Sequence, residues 1–505
     1  METKRVFAVD LGASGGKCFA GTFENGAFEM QELHRFTHEG ISFHVSGGDG
    51  KITERTFWDD LHIYQNIIKG LNIFRREISE KLDSIGIDTW GSDGQFITRD
   101  GDFLGKIYCY RDHRLDRMIE RLMEKISPAR IYEITGIHFQ PFNLSNQLLW
   151  FMLNRSYLLQ PGCIFLPMPT IFYNYLGNIK KIDSTWASVT QLMDAKKGVW
   201  SSVVLEKLGI PADVMPDIVS PGTVLGRLLE PVAESVGLNR AKLTAVGSHD
   251  TASAFAAAPV ENTDDALIIS SGTWSIAGKL VPGPVTSAGA RAVNISNEGG
   301  IGNTRLLINC MGIWIIQEMR RIWSARDGTK TEWGEITRLV ESAPGFTAFI
   351  NPDDSSFYNP PDMVQAIRLF CKKTGQQVPK NRSAFLRVVY ESLAMKYRTV
   401  NDKITKISRK PTKTVNIVGG GSKNDVLNQF TADSTGLSVL AGPAEATAVG
   451  NIMVQASGLG IINGLDAASG LIRKAFKIRE YKPRKHSVWA REYDRFMKIV
   501  STSKS

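Results

Sequence analysis

Eight residues near the beginning of the sequence, Asp10 to Lys17, have types and spacing suited to binding a phosphate group; they read DLGASGGK. Small residues in a turn leave the backbone N–H groups uncovered, so that a phosphate oxygen can approach them closely. The Ser14 hydroxyl and the Lys17 ammonium would add hydrogen-bond donors and positive charge. Asp10 is suited to holding Mg²⁺ through water, because this ion prefers carboxylates together with retained water molecules. The alternative is an ordinary tight glycine turn.

Two later runs of small residues also follow apolar segments. They are SSGTWS at residues 270–275, and GGG from Gly419 to Gly421, which comes before a helix predicted to begin near Ser422. A helix N-terminus favours an anion, and a bare glycine backbone can pass beneath a flat base. The alternatives are a hydroxyl-rich turn for the first run and a flexible linker for the second. Because the sequence has no GK[ST] triplet, a nucleotide would be held by paired loops rather than by a Walker A loop.

A candidate general base lies in the run SHDTASA at residues 248–254. Asp250 could N-cap a helix that begins at Thr251, or it could take the proton of a sugar hydroxyl as a phosphoryl group arrives. Phosphoryl transfer depends mainly on positioning and on neutralising charge, so one carboxylate, one metal ion and donors to the phosphate are enough. His249 is better suited to hydrogen-bonding a sugar than to binding a metal, since no second histidine lies near it in the sequence.

Short apolar segments that alternate with helical patterns must position these loops. Strands are predicted before and after the first loop, and the pair Asn25-Gly26 predicts a two-residue hairpin. The predicted strands cover residues 6–10, 17–23, 28–33, 84–88, 267–270, 275–279 and 414–418, and the predicted helices span 61–74 and 115–126. We expect two lobes, each a mixed sheet with helices packed on it, and a divide near residues 240–248.

The composition is that of a soluble globular protein. The 505 residues exceed what one hydrophobic core usually serves, so two or three domains are expected. The first apolar run is too short for a signal peptide, and no apolar stretch is long enough to span a bilayer. The cysteines are scattered, which fits reduced thiols better than a disulfide framework; they are Cys18, Cys109, Cys163, Cys310 and Cys371. We therefore expect a cytoplasmic location and no membrane partner.

The formal net charge of +9 comes largely from basic residues near the C-terminus. Such a run is typical of a solvated face, and it can also attract anionic small molecules. No recognisable nucleic-acid-binding module accompanies these charges, so we expect no nucleic-acid partner.

Several runs along the chain, taken in order, resemble those of the FGGY carbohydrate kinases. Besides the first loop they are DTWG at 88–91, YRD at 110–112, GIHFQPFN at 136–143, SHDTAS at 248–253 and SGTWS at 271–275. NEGG at 297–300, Asn309 with Met311-Gly312, and the glycine run at 419–421 extend the resemblance. It covers nearly the whole chain, and SHDTAS and SGTWS are its most specific pieces.

This resemblance implies an α/β fold of two actin-like, ribonuclease H-type lobes with a cleft between them. The expected domains are an N-terminal lobe over residues 1–243, a C-terminal lobe over 244–465, and a basic segment over 466–505 packed on the second lobe. The implied activity is phosphorylation of a ketose by ATP with Mg²⁺. The pattern is most similar to the family members that convert L-rhamnulose to its 1-phosphate; L-fuculose, xylulose and glycerol remain alternative acceptors.

The resemblance also implies roles for individual residues. Asp250 corresponds to the proton acceptor, and Asp10 is the metal candidate. The implied ATP contacts are Ala13, Ser14, Gly15, Gly16, Lys17, Thr273, Gln317 and Gly420. The implied sugar contacts are Gly91, His249, Asp250, Thr251 and Asn309.

Two positions depart from the family pattern. Lys17 stands where an arginine is usual, which keeps the charge but loses the planar fork of the guanidinium. Gly94 stands where an aromatic residue is expected, and this puts the identity of the sugar in question.

Two other classes of protein share part of this pattern. The pattern G-x-S-x-G at residues 12–16 is that of a hydrolase nucleophile elbow, but such an elbow needs a helix directly after the serine, and a strand is predicted there. A non-catalytic nucleotide-binding protein of the actin and chaperone kind would not need the polar runs at 136–143 and 248–254.

Overall fold

The computed structural model describes residues 2–46, 50–329 and 331–502. These residues form two compact units, each assembled from three segments of the chain. The first unit contains the residues up to Ala257, Leu280–Leu306 and Ala446–Ala475. The second unit contains Ala258–Lys279, Leu307–Glu445 and the residues from Phe476 onward. The expected domains, with limits after residues 243 and 465, are contiguous in sequence and stay a prediction. The two compact units instead interleave along the chain.

The first unit is built on a mixed six-stranded sheet. Its strands, in spatial order, are Val224–Arg227, Lys242–Thr244, Ser84–Thr89, Lys4–Gly12, Gly15–Glu24 and Ala27–Thr37. Lys4–Gly12 runs parallel to Ser84–Thr89 and antiparallel to Gly15–Glu24. Residues 6–9 of this inner strand are fully buried, which explains their unbroken apolar run.

Two helices cover opposite faces of this sheet. Consecutive residues of a strand point to opposite faces, so Val6 and Phe7 identify one face each. Helix Asp60–Glu77 lies on the Phe7 face, where a Cβ added at Gly70 would stand 3.0 Å from the Phe7 ring. Helix Ala446–Gly458 lies on the Val6 face, because its Ile452 contacts the same space as Val6.

The structure confirms most of the predicted strands of this unit and corrects one helix. The hairpin at Asn25-Gly26 is confirmed, since both residues have positive φ angles, 51° and 77°, as a two-residue turn requires. The helix predicted over 115–126 is wrong in its first turn. Arg117 adopts a left-handed φ of 63°, so that the α-helix spans only Met118–Lys125. A short 3₁₀ turn, His113–Leu115, precedes it.

Two antiparallel strand pairs in the first unit are not among the predicted strands. One joins Gly40–Ser46 to Ile52–Trp58, and the other joins Gly94–Thr98 to Cys163–Pro167. Two smaller pairs join Lys181–Asp183 to Asp217–Val219 and Met193–Asp194 to Val199–Trp200. The helices of the unit are Asp60–Glu77, Met118–Lys125, Pro128–Thr135, Leu144–Asn154, Met168–Gly177, Ser184–Val189, Ser202–Leu208, Glu230–Val236, Asp250–Ala256, Ala288–Ala292, Ala446–Gly458 and Gly464–Ala475.

The second unit is built on a mixed sheet, of which six strands lie wholly or mostly within it. In spatial order the six are Thr304–Met311, Trp274–Val281, Ala266–Ser271, Thr414–Val418, Ser438–Ala441 and Arg479–Tyr481. The strands predicted at 267–270, 275–279 and 414–418 are therefore confirmed. The helices of the unit are Trp314–Asp327, Trp333–Ser342, Met363–Lys373, Arg382–Ser408, Asp425–Thr435 and His486–Thr502.

The helices of the described ranges are all too short or too polar to cross a membrane. All five cysteines are free thiols, as expected from their scattered positions.

Candidate active site

The first predicted phosphate loop is a tight connection between two strands. Gly12 pairs with Gly15, which leaves Ala13 and Ser14 as the turn, and Asp10 lies opposite Lys17. A strand follows Ser14 directly, so the hydrolase elbow is excluded.

Packing alone also requires two of the glycines in this loop. A Cβ at Gly15 would lie 2.7 Å from the carbonyl oxygen of Phe36, and a Cβ at Gly16 would lie 2.3 Å from the Phe36 ring. The bare backbone is therefore needed by the neighbouring strand, whether or not a phosphate binds. The assignment of these residues to ATP stays a prediction.

Carboxylates gather at the ends of the parallel strands that carry Asp10 and Asp88. The two residues are aligned across the strand pair. Asp88 is fully buried; its Oδ2 accepts a 2.6 Å hydrogen bond from Asn451, and its Oδ1 has no partner among the residues that the structure describes. Burial raises the pKa of Asp88 well above its usual value, and the charges of Asp10 and Asp250 raise it further. A bound cation would relieve this accumulation of negative charge.

The candidate base begins a short helix beside these strands. The N–H of Thr89 donates to the carbonyl of Ser248 (2.8 Å), which places the next two residues at the edge of the sheet. The helix spans Asp250–Ala256, and His249 occupies its N-cap position. The Asp250 carboxylate accepts from the N–H and the hydroxyl of Thr251, at 2.5 and 3.0 Å. It does not cap the N–H groups two or three residues on, so the simple capping alternative does not describe this helix.

Polar contacts link Asp250 to the protein interior through His249. The Nε2 of His249 lies 3.4 Å from Asp250 Oδ1, and its Nδ1 lies 3.3 Å from Glu298 Oε2. Arg305 Nη2 lies 3.3 Å from the same Glu298 oxygen and 3.3 Å from His249 Nδ1. The four side chains therefore form one continuous chain of contacts, with Asp250 at its accessible end. The Asp250 side chain is 31% exposed and that of Glu298 only 7%.

Glu298 and Arg305 form a buried ion pair that holds the imidazole of His249. Burial favours the neutral form of Glu298, but the close contact with His249 and the charge of Arg305 outweigh it, and the pKa of Glu298 falls to about 2. Arg305 is fully buried, and its Nε also donates to the carbonyl of Gly299 (2.8 Å). A buried carboxylate that stays ionised fixes the position of the ring it contacts.

Gly91 and Gly94 are both required by packing, but against different neighbours. A Cβ at Gly91 would lie 2.9 Å from His249 Nε2, so a side chain there would displace the imidazole. A Cβ at Gly94 would lie 2.3 Å from the Phe165 ring. The volume beside residue 94 is thus filled by an aromatic ring from the neighbouring strand, Cys163–Pro167.

Between these glycines, Asp93 organises a cluster of aromatic side chains. It is fully buried and has a left-handed φ of 74°. Its Oδ2 accepts from the indole Nε1 atoms of Trp58 (2.7 Å) and Trp90 (3.1 Å) and from the N–H of Tyr110 (3.2 Å). Its Oδ1 accepts from Gln147 Nε2 at 3.1 Å. Burial raises the pKa of Asp93, and these donors oppose that shift.

In the second unit, the loop after strand Ala266–Ser271 packs on the start of a helix. The N–H of Trp314 donates to the carbonyl of Thr273 (3.2 Å). The Thr273 hydroxyl donates to Gln317 Oε1 at 3.4 Å. A Cβ at Gly312 would lie 2.4 Å from the carbonyl oxygen of Gly272, so the close approach depends on that glycine. Thr273 and Gln317, both predicted ATP contacts, are therefore neighbours.

The glycine run 419–421 lies against the same strand end. A Cβ at Gly421 would lie 2.1 Å from Ser271 Oγ, whereas a Cβ at Gly420 would meet nothing within 4 Å. The backbone at Gly420 is therefore uncovered. The α-helix expected near Ser422 begins only at Asp425, because a 3₁₀ turn, Gly420–Lys423, comes first.

The predicted sugar contact in the second unit is Asn309, on strand Thr304–Met311. Its Oδ1 is buried and finds no hydrogen-bond partner within the described ranges. The atom is therefore available to a donor from a ligand.

Sequence analysis did not assign roles to Asp88, Asp93, His138, Glu298 or Arg305. For three of them a signal existed, since Asp88, His138 and Glu298 belong to the runs DTWG at 88–91, GIHFQPFN at 136–143 and NEGG at 297–300. Asp93 and Arg305 are recognised only from burial and from partners distant in sequence.

Comparison with known proteins decides the family. The N-terminal domain of the FGGY family of carbohydrate kinases matches residues 9–256, and its C-terminal domain matches residues 267–459. The chain belongs to this family. It is therefore an FGGY carbohydrate kinase, whose substrates are ATP and a sugar.

Curated relatives of this FGGY kinase match over nearly their full length. A protein of Bacteroides thetaiotaomicron named rhamnulokinase is 37% identical, with 98% of this chain and 99% of the relative covered. A rhamnulokinase of Pectobacterium carotovorum is 36% identical, with 99% and 97% covered. One of Bacillus subtilis is 34% identical, with 94% and 95% covered.

Solved structures show the same fold at lower identity. Xylulose kinase from Lactobacillus acidophilus superposes with a TM-score of 0.79 at 14% identity, covering 99% of both chains. Glycerol kinase from Plasmodium falciparum, solved with ADP, has a TM-score of 0.77 at 16% identity, covering 99% of this chain and 98% of that one. The predicted α/β fold of two actin-like domains is confirmed.

Proposed function

We propose that this kinase transfers the γ-phosphate of ATP to O1 of L-rhamnulose, in the cytoplasm. Relatives that are 34–37% identical over nearly the whole chain are named rhamnulokinase, which supports this sugar. The observation that carries the chemistry is the contrast between Asp250 and its neighbours. Asp250 is accessible, whereas Asp88, Asp93 and Glu298 are buried.

Asp250 is the proposed general base. The sugar hydroxyl donates a hydrogen bond to its carboxylate, and the proton moves there as the bond between O1 and the γ-phosphorus forms. The bond from that phosphorus to the bridging oxygen of ADP breaks at the same time, so charge and atoms balance. General-base assistance of this kind contributes ~10²–10⁴-fold to the rate. His249 Nε2, 3.4 Å from Asp250 Oδ1, fixes the direction of the carboxylate.

The remaining roles are assigned from position and chemistry. The proposed ATP contacts are residues 13–17, Thr273, Gln317 and Gly420. The proposed sugar contacts are Gly91, His249, Thr251 and Asn309, the last of which offers its unpaired Oδ1.

The carboxylates of Asp10 and Asp88 fit Mg²⁺, which favours oxygen ligands and keeps several waters. The unpaired buried oxygen of Asp88 and its raised pKa both support this fit. Within the described residues, no three acidic, histidine or cysteine side chains are arranged to enclose a metal ion. When bound, Mg²⁺ would neutralise charge on the transferred phosphate.

The test is ADP release, measured in a coupled assay over a panel of ketoses. We expect L-rhamnulose to give the highest kcat/KM. If L-fuculose or xylulose gave a higher value, the proposed sugar would be wrong while the family would stand. If no sugar raised ATP turnover, the proposed function as a whole would be overturned.

A further inference from the structure

One buried side chain close to Glu298 has unmet hydrogen-bonding capacity. His138 is 8% exposed, and neither ring nitrogen has a partner in the part of the chain that the structure describes. Burial lowers the pKa of His138, although the nearby negative charge of Glu298 opposes the shift. A neutral imidazole has one donor and one acceptor, and leaving both buried and unpaired destabilises the protein. The unpaired ring therefore lowers the free energy of unfolding.

The backbone that carries His138 is held firmly. Asn143 Nδ2 donates to the carbonyl of His138 itself (2.9 Å), and Gln191 Nε2 donates to the preceding carbonyl (3.4 Å). Asn297 Nδ2 donates to the carbonyl before that, which belongs to Gly136 (3.1 Å). Gly136 has a left-handed φ of 66°, and a Cβ there would lie 2.8 Å from Asn297. Because the loop is held at three successive carbonyls, the backbone that carries the ring is in place before any ligand binds.

We propose that His138 is a specificity-determining residue of the sugar site, and that its two ring nitrogens bind hydroxyl groups of the ketose. This inference rests on the proposed function. Hydroxyl groups both donate and accept, so they satisfy a neutral imidazole completely. A carboxylate or phosphate only accepts and would leave the acceptor nitrogen unpaired. His138 also lies within electrostatic range of Glu298, whose carboxylate contacts the proposed sugar residue His249.

The test compares two substitutions of His138. His138→Leu removes both polar atoms, whereas His138→Gln keeps one donor and one acceptor. For the leucine variant we expect KM for the best ketose to rise ~5- to 150-fold, the range that corresponds to leaving one ligand group unpaired. Its KM for ATP should stay within about twofold. Its melting temperature should be unchanged or higher, because two unpaired buried atoms are removed. The glutamine variant should recover most of the ketose affinity. His113→Leu, at a highly exposed histidine, is the control for the substitution itself.

Two results would overturn the inference. An unchanged KM for the ketose in His138→Leu would mean that water, not sugar, pairs with the ring. A fall in melting temperature together with equal losses for ATP and ketose, in both variants, would mean a structural role. Failure of the proposed function is distinguishable from either, since the wild-type protein would then show no ketose-dependent turnover.

Discussion

Replacing Asp250 by asparagine separates the catalytic role of this residue from its structural one. The amide oxygen of asparagine can still accept from the N–H and hydroxyl of Thr251, which lie 2.5 and 3.0 Å from the carboxylate. The start of the helix Asp250–Ala256 should therefore be preserved. The amide cannot take up the proton of the sugar hydroxyl. We expect kcat to fall by ~10²–10⁴-fold, the usual value of general-base assistance.

The assay is steady-state ADP release, accompanied by ATP binding measured by calorimetry and by thermal unfolding. ATP affinity should stay within a few-fold of wild type, and the melting temperature should change by no more than a few degrees. Asp116→Asn, at an exposed aspartate, is the matched control and should have wild-type kcat. If Asp250→Asn retained normal kcat, Asp250 would not be the base, and Asp10 would be the next carboxylate to test.

Two further substitutions test the buried carboxylates Glu298 and Asp93. Glu298→Gln should destabilise the fold by about 3–5 kcal/mol at pH 7 in urea unfolding, because it leaves Arg305 buried without its counter-ion. The pKa of Glu298 is about 2 in the folded state and near 4.5 when exposed, so wild-type stability from this group is present above pH 4.5 and is lost as the pH falls toward 2. The glutamine variant should lack that part of the pH dependence, and an identical profile would contradict the assignment. Asp93→Asn should lower stability by about 1–3 kcal/mol and change tryptophan fluorescence. Trp58, Trp90 and Gln147 all donate to the Asp93 carboxylate, so the NH₂ group of the new amide would face at least one of these donors. Asparagine tolerates the left-handed backbone, so a variant of full stability would show that these hydrogen bonds contribute little.

The sequence predicts local structure where burial produces a continuous apolar run. Strands such as Lys4–Gly12 were recognisable because they are buried on both faces and continuously apolar. The first turn of the helix predicted from residue 115 failed because Arg117 has a left-handed backbone that apolar spacing does not reveal. The short strand Gly94–Thr98 has no local signal, because it pairs with Cys163–Pro167, about 70 residues later in the chain.

The site was predictable only where residues are adjacent in sequence. His249 and Asp250 stand together in one run, so their association needed no structure. Glu298 and Arg305 lie about 50 residues away, and nothing in the spacing indicates that they contact His249. The absence of an aromatic residue at position 94 suggests, from sequence, a change at the sugar site. The structure shows that Phe165, from a distant strand, fills the adjoining space.

The interleaving of the two units has a consequence for biosynthesis. Asp88 and Phe7 belong to the first strands made, but their partners Asn451 and Gln455 emerge from the ribosome more than 360 residues later. At ~5–20 residues per second this delay is about 20–70 s. During that time the Val6 face of the first sheet lacks the helix Ala446–Gly458, and the Asp88 carboxylate lacks its amide donor. The nascent first unit should therefore depend on chaperones until translation is nearly complete, and chains that stop before residue 446 should aggregate rather than fold.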